Sequence, residues 1–168
     1  MEVLVIILLH SIIISYTGIP LLYSGDELGQ LNDWDYKNIP EYAGDSRWLH
    51  RGKMNWENAK NRNDLGTTEG QIFTKLKNMI SIRKSNELFS SKYRAIPVET
   101  GNNAVFCFHK EDKMLVLANF SEHEQWVDSR SFDWFGLPGE MHDLLTGRPV
   151  RSYNNNIQLG PYEYIWLV

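Results

Sequence analysis

Two polar clusters in the first third of the chain carry side chains able to do chemistry. One is the acidic pair Asp26 and Glu27, bracketed by Gly25 and Gly29, and the other is Asp45, Ser46, Arg47, Trp48, His50 and Arg51. A carboxylate pair can cleave a glycosidic bond when its carboxyls flank that bond roughly 5 Å apart for retention or about 6.5 to 9.5 Å for inversion. Adjacent residues in an extended segment point to opposite sides, so Asp26 and Glu27 fit better as loop anchors that accept hydrogen bonds from backbone N–H groups. The second cluster joins a planar guanidinium to a carboxylate and an indole. That mixture suits a polyol, because Arg donates to vicinal hydroxyls while a carboxylate holds it and Trp packs on the apolar face of a pyranose. The same residues would also make an ordinary surface ion-pair cluster, which contributes little stability.

The elements that must position these clusters follow from punctuation and periodicity. Residues 18–25, GIPLLYSG, read as a buried strand over residues 19–23 that opens at its carboxyl end into a long polar loop, and in α/β folds ligands sit at such strand ends. Upstream, residues 2–16 are apolar almost all round, which predicts a helix buried on every face. Downstream, residues 25–68 are rich in Asn, Asp, Gly and Pro, and a loop of that length implies function or small embedded helices. Thr68 and Gln71 then suggest a capping box, and Ile72, Leu76, Met79, Ile80 and the stem of Arg83 recur at helical spacing as far as about Asn86.

Beyond residue 90 the period changes from 3.6 to 2. Runs at residues 93–99, 103–110, 113–120, 124–129, 140–144 and 162–168 predict an antiparallel sandwich of six to eight strands, with the boundary near residues 88–92. The domain expectation is therefore residues 1–90 and residues 91–168.

Composition narrows the function classes. With 168 residues and 42% hydrophobic content the chain can bury a core, and 17 basic against 21 acidic residues form no basic stripe, so no nucleic-acid partner is expected. Six Trp and eight Tyr suit flat apolar ligands such as sugar rings, though aromatics also fill cores. The lone Cys107 lies in an alternating run and reads as a small buried thiol, and the five His lack ligand spacing, so no metal or cofactor is expected. Residues 3–24 carry no charged side chain, yet Gly18, Pro20 and His10 argue against a membrane span and the Met1-Glu2 start against a secretory signal. The expectation is a cytoplasmic protein with no membrane partner.

The stretches GIPLLYSGDELG, LNDWDY and GDSRWLHR, followed by RNDLGTTEGQIFTKLKNMISIRKSN, LANFSE, HDLLTG and PYEYIWLV, resemble the C-terminal third of amylosucrases, in glycoside hydrolase family 13 of the α-amylase superfamily. The resemblance implies a C-terminal fragment of a (β/α)8 barrel followed by an antiparallel β-sandwich, with residues 2–16 as the seventh barrel helix, 19–23 as the eighth strand and 68–86 as the eighth helix. It implies retaining glucosyl transfer from sucrose to an α-glucan. The nucleophilic Asp, the acid/base Glu and the third Asp of the family lie on earlier strands, outside these motifs. Arg47 matches the family's Arg after the eighth strand, which pairs with an Asp of the first barrel half and closes the glucose pocket, and Asp45, Ser46, Trp48 and His50 match its neighbours as support. Gly52-Lys53 stands where the family often has a proline. A barrel needs about 250 residues, so the expectation is a fragment, inactive alone, prone to self-association, whose partner is the missing N-terminal barrel portion.

Two other functions compete. A sucrose hydrolase or related α-glucosidase would share these motifs, since the residues that choose water or glucan as acceptor lie elsewhere. A free-standing carbohydrate-binding or interaction module would show Trp126 and Trp134 exposed in a row on one sandwich face, whereas burial of Trp126 and Trp166 would mark a packing domain.

Overall fold

The computed structural model describes residues 2–135 and 141–168, with side chains given outside 112 and 133–135. The chain divides into two compact units, one made of Met1–Leu21 with Lys75–Val168 and the other of Leu22–Thr74.

Among the described residues the first unit is built on eight short strands, all paired antiparallel: β1 Ala95–Pro97, β2 Val105–Lys110, β3 Met114–Asn119, β4 Gln125–Asp128, β5 Met141–His142, β6 Pro149–Val150, β7 Asn156–Leu159 and β8 Tyr164–Leu167. They form a four-stranded sheet in the order β1-β2-β3-β8 and two ribbons, β4-β7 and β5-β6. Side chains alternate across a strand, so Val105 and Cys107 of β2, Leu115 and Leu117 of β3, and Ile165 and Leu167 of β8 share one face of the sheet. They form a single buried cluster with Val127, Ile157 and Leu159 of the β4-β7 ribbon, with Phe132 and with Met141, as the expected sandwich requires.

The opposite face of the sheet is covered as well. The first helix, α1 Glu2–Ser15, packs against β3, Tyr16 meets Phe108 edge-on at 5.1 Å, and Phe89 lies 5.2 Å from Trp166. Every residue of β3 is consequently buried. The continuous apolar run MLVLA, which lacks the alternation of a one-sided strand, follows from that double cover. Burial pushes the Cys107 thiol well above its ordinary range, which makes it a packing group.

Two barrel-type expectations need correction. Residues 19–23 form no ladder with any described segment, and Ile19 and Leu21 are 90% and 82% exposed. A strand exists through its neighbours' N–H and C=O groups, and no described segment supplies them. Helix α1 is likewise not buried on every face: Ile7, Leu8, His10, Ser11, Ile14 and Ser15 are buried, but Leu9 and Ile13, one turn apart, are exposed. Its carboxyl end is closed by Arg83, whose guanidinium donates to the carbonyls of Ile14, Tyr16 and Gly18. Those carbonyls fall within and just beyond the last turn, where helical partners run out.

The last helix runs from Thr68–Ser85, close to expectation, but its cap is one residue earlier than the predicted capping box. Thr67 Oγ1 accepts from the Gly70 N–H at 3.1 Å, and Gly70 rather than Gln71 holds the third helical position. A Cβ at Gly70 would sit 1.9 Å from the Asp64 carbonyl oxygen, so the approach of that carbonyl selects glycine and sets the register. The strand expected over residues 140–144 begins with Glu140, outside the described residues, and β5 follows it. Trp126 is 46% exposed and Trp166 fully buried, while the side chain of Trp134 lies outside the described residues.

Lys110 is an anomaly with a measurable consequence. It is fully buried, its Nζ donates to the Leu88 carbonyl at 3.3 Å and lies 4.8 Å from the Phe89 ring, and no carboxylate pairs with it among the described residues. Burial, with the nearby charge of Arg83, lowers its pKa from 10.5 to about 8. The unfolded chain therefore binds more protons than the folded one between those values, so this residue opposes folding most below pH 8 and progressively less as pH rises to 10.5. Lys110→Met should raise stability at pH 7 by about 1 kcal/mol or more. Its advantage over the parent chain should shrink between pH 8 and 10, and a thermal melt series showing a gain independent of pH would mean that the buried charge does not oppose folding.

Candidate functional site

The second unit, Leu22–Thr74, contains no strand among its described residues. It is a succession of single turns: 3-10 turns at Asp26–Leu28, Trp34–Asn38, Ser46–His50 and Lys60–Asn63, and the short helix α2 at Trp56–Ala59. The abundance of Asp and Asn now has a local cause. Asp33 accepts from the Asp35 N–H, Asp45 from the Arg47 N–H, Asn55 from the Asn58 N–H and Asp64 from the Gly66 N–H. Each side chain replaces a backbone partner that so short a turn cannot supply. The embedded helices anticipated from loop length are these turns.

The segment 25–29 is a 3-10 turn between two glycines in the left-handed region, Gly25 at φ 103° and Gly29 at φ 64°. A Cβ on Gly29 would stand 2.6 Å from Ile72 Cδ1, so both φ and packing demand glycine there. Within the turn Glu27 Oε2 accepts from the Gly25 N–H at 2.8 Å and Asp26 Oδ2 from the Tyr23 N–H at 3.3 Å. Both carboxylates are thus engaged with backbone amides at the turn's entrance.

The segment carrying Arg47 is fixed by longer-range contacts. The Asp33 N–H donates to the Leu49 carbonyl at 2.8 Å, His50 Nδ1 lies 2.9 Å from Asn32 Oδ1, and Gln30 Nε2 donates to the Gly52 carbonyl at 3.3 Å. A Cβ at Gly52 would come within 2.9 Å of Asp33 Cβ, which accounts for glycine where the resembled family often has proline.

A cavity of about 430 Å3 opens in this unit, lined by Tyr23, Asp26, Arg47, His50 and Arg51. Arg47 Nε donates to both Asp45 oxygens at 2.8 and 3.0 Å, and its Nη2 lies 2.8 Å from Asp45 Oδ2. This bidentate pair holds the Asp45 carboxyl at about 2 and raises Arg47, so both stay ionised at any physiological pH. Asp45 also caps the turn that presents Arg47.

The sequence-derived candidates separate in space. Arg47 and His50 reach the cavity and so does Asp26, whereas Asp45, Ser46, Trp48 and Glu27 are absent from its lining. Trp48 is stacked on Tyr42 with centroids 3.8 Å apart and planes 17° apart, and the Arg51 guanidinium lies 5.7 Å from its ring. Its aromatic faces therefore serve to brace the loop. Sequence reasoning does not single out Tyr23 as a lining residue: in an apolar run it reads as part of a strand, yet it is 53% exposed. The signal available is the Gly25 turn just after it, which redirects the chain. Among the described residues no group of three His, Cys, Asp or Glu could hold a metal ion, and no helix is long and apolar enough to cross a membrane.

No family model matches the chain. Among curated proteins, the glucosylglycerate phosphorylase of Escherichia coli (strain K12) is 26% identical over 166 residues, 96% of this chain but only 27% of that protein. Among solved structures, AmyP in complex with maltose matches with a TM-score of 0.69 at 16% identity, over 99% of this chain and 34% of that one. The trehalose-6-phosphate hydrolase TreA of Bacillus licheniformis matches with a TM-score of 0.65 at 18% identity, over 98% of this chain and 38% of its own. The chain thus shares the fold of one part of amylase-type enzymes, and it spans about a third of the length of the proteins it matches.

Proposed function

We propose that the chain is the C-terminal part of a glycoside hydrolase family 13 enzyme, amylosucrase-like in its loop motifs, that handles α-glucosyl groups from sucrose or an α-glucan. In that reading the chain supplies one side of the glucose pocket and the rest of the barrel supplies the nucleophile and acid/base. The observation that carries it is Arg47, presented into a cavity by a turn capped by Asp45 and clamped by the same carboxylate. With Nε and Nη2 held, its Nη1 has no hydrogen-bond partner among the described residues and is available to sugar hydroxyls or to an Asp from the first barrel half. Exposed Leu9 and Ile13 on α1, and residues 19–23 without a ladder partner, support association with the remaining barrel or with a second copy.

In the complete enzyme Arg47→Ala should lower kcat/KM for the glucosyl donor tenfold or more, about 1.4 kcal/mol, because the sugar loses donors and Asp45 loses its counter-charge. Unchanged kcat/KM would reduce the cluster to a surface ion pair. Sucrose hydrolase or another α-glucosidase is the alternative within the same framework, and the glucosylglycerate phosphorylase similarity adds phosphorolysis to the reactions that a donor and acceptor screen must include. A free-standing sandwich module draws some support from exposed Trp126, but the buried Trp166 belongs to packing.

A further inference from the structure

Two stretches of chain wall the cavity, and a seam of separate hydrogen bonds joins them. Tyr23 and Asp26 line it from the segment that turns at Gly25, whereas Arg47, His50 and Arg51 line it from the turn at Ser46–His50 and its exit. Residues 30–33 run beside residues 49–53 in one antiparallel register. Gln30 Nε2 donates to the Gly52 carbonyl at 3.3 Å and to the Lys53 carbonyl at 3.4 Å, Asn32 Oδ1 lies 2.9 Å from His50 Nδ1, and the Asp33 N–H donates to the Leu49 carbonyl at 2.8 Å. Only the last of these ties is backbone to backbone, so no strand ladder forms and side chains carry the rest of the seam.

Gln30 sits at the end of the seam where the first turn closes. Its own N–H donates to the Gly25 carbonyl at 3.0 Å, and its side chain lies so close to Gly25 that a Cβ there would stand 3.0 Å from Gln30 Cβ. The amide nitrogen then crosses to the exit of the second turn. The amide oxygen, Oε1, is buried and has no hydrogen-bond partner among the described residues. A buried carbonyl without a donor costs free energy, and two long N–H···O contacts recover little of it. An apolar side chain of the same length would hold the fold about as well, so stability does not account for a glutamine here. Its donor does, because a methionine would fill the same space and tie nothing to Gly52 and Lys53.

We propose that Gln30 is a positioning residue for the cavity: by tying the Gly25 turn to Gly52 and Lys53 it fixes where Arg47 and His50 stand relative to Tyr23 and Asp26. The inference deepens the glucose-pocket reading by naming a residue that sets the pocket's geometry from outside its lining, and it rests on that reading for what the pocket holds. The turns themselves survive its loss, since Asp45 caps one and Glu27 braces the other.

The test is Gln30→Met, made both in the chain and in the complete enzyme. In the chain the urea midpoint should match that of the parent, while the Arg47 Nε–Hε and His50 ring resonances move in the NMR spectrum. In the complete enzyme kcat/KM for the glucosyl donor should fall about fivefold or more. Because that effect runs through Arg47, adding Gln30→Met to Arg47→Ala should lower kcat/KM by less than about twofold further. A midpoint that drops steeply, resonances of Arg47 and His50 that stay in place, or a fall in kcat/KM equally large with and without Arg47 would each overturn the proposal and make Gln30 a packing residue. The glucose-pocket reading fails by a separate result, an Arg47→Ala enzyme with unchanged kcat/KM, and in that event the resonances of the chain alone decide whether Gln30 positions the two turns.

Discussion

Incubated alone with sucrose, maltose or trehalose, the chain should release no monosaccharide above a heat-denatured control. Double displacement with retention needs two carboxyls about 5 Å apart on either side of the scissile bond, one as nucleophile and one as acid/base. Among the described residues the cavity is lined by one carboxylate, Asp26, and Asp45, outside that lining, is committed to Arg47. Glu27, the neighbour that could have made a pair, is drawn to the Gly25 N–H and does not reach the cavity. Losing the whole reacting pair removes far more than a pocket arginine would, since the rate enhancement of a glycosidase is of the order of many powers of ten. The proposed reading further expects turnover to appear when a separately produced N-terminal barrel portion is added. Fructose or glucose release by the chain alone, abolished by Asp26→Asn or Glu27→Gln, would overturn both the fragment reading and the anchoring role given to that pair.

What could be read from the sequence divides along a physical line. The sandwich was legible because β2, β3 and β8 carry their pairing partners within the chain, so alternation and burial agree, as Cys107 and Leu117 show by facing one another across the sheet. The β4-β7 ribbon was legible on one side only, because β7 follows the three consecutive asparagines of RSYNNNIQLG, a run that reads as loop. Asn154 and Asn155 instead adopt left-handed conformations, φ 49° and 60°, and close a tight turn between Tyr153 and Asn156, which starts β7. Residues 19–23 failed for the opposite reason: the composition of a central strand is present, but a strand's existence depends on neighbours that local composition cannot report. The turns of the second unit were legible only as Asn and Asp enrichment, because each cap is a two-residue event with no periodicity. Arg47 stood out by its motif, while its clamp by Asp45 is a pairing that only the structure shows.

The largest stability loss from a single polar substitution should come at Asp143, in the HDLLTG stretch. It is 1% exposed, its Oδ1 accepts from the Trp166 N–H at 3.0 Å and the Leu145 N–H at 3.2 Å, and its Oδ2 accepts from Thr146 Oγ1 at 2.7 Å. One carboxylate therefore satisfies donors on β8 and on the turn that follows β5, joining two segments 23 residues apart. Asp143→Ala leaves the Trp166 N–H, itself on a fully buried residue, without an acceptor, and each buried donor so stranded costs about 1 to 3 kcal/mol. Only the Trp166 N–H is fully buried, the Leu145 N–H being half-buried and the Thr146 hydroxyl open to water, so stability should fall by about 1 to 3 kcal/mol, roughly 2 to 12 °C in Tm for a chain of this size. Asp143→Asn keeps the volume and one acceptor oxygen, so its loss should be intermediate. A second readout is local: burial, reinforced by the charge of Asp143, pushes the Tyr164 hydroxyl up to about 12, so its ultraviolet titration should move down when that charge is removed while burial still holds it above its ordinary value. Urea denaturation followed by Trp fluorescence gives the first quantity through the shift in midpoint at constant slope. An Asp143→Ala chain within about 1 kcal/mol of the parent, with Tyr164 titrating as before, would show that the carboxylate is not what ties β8 to the turn.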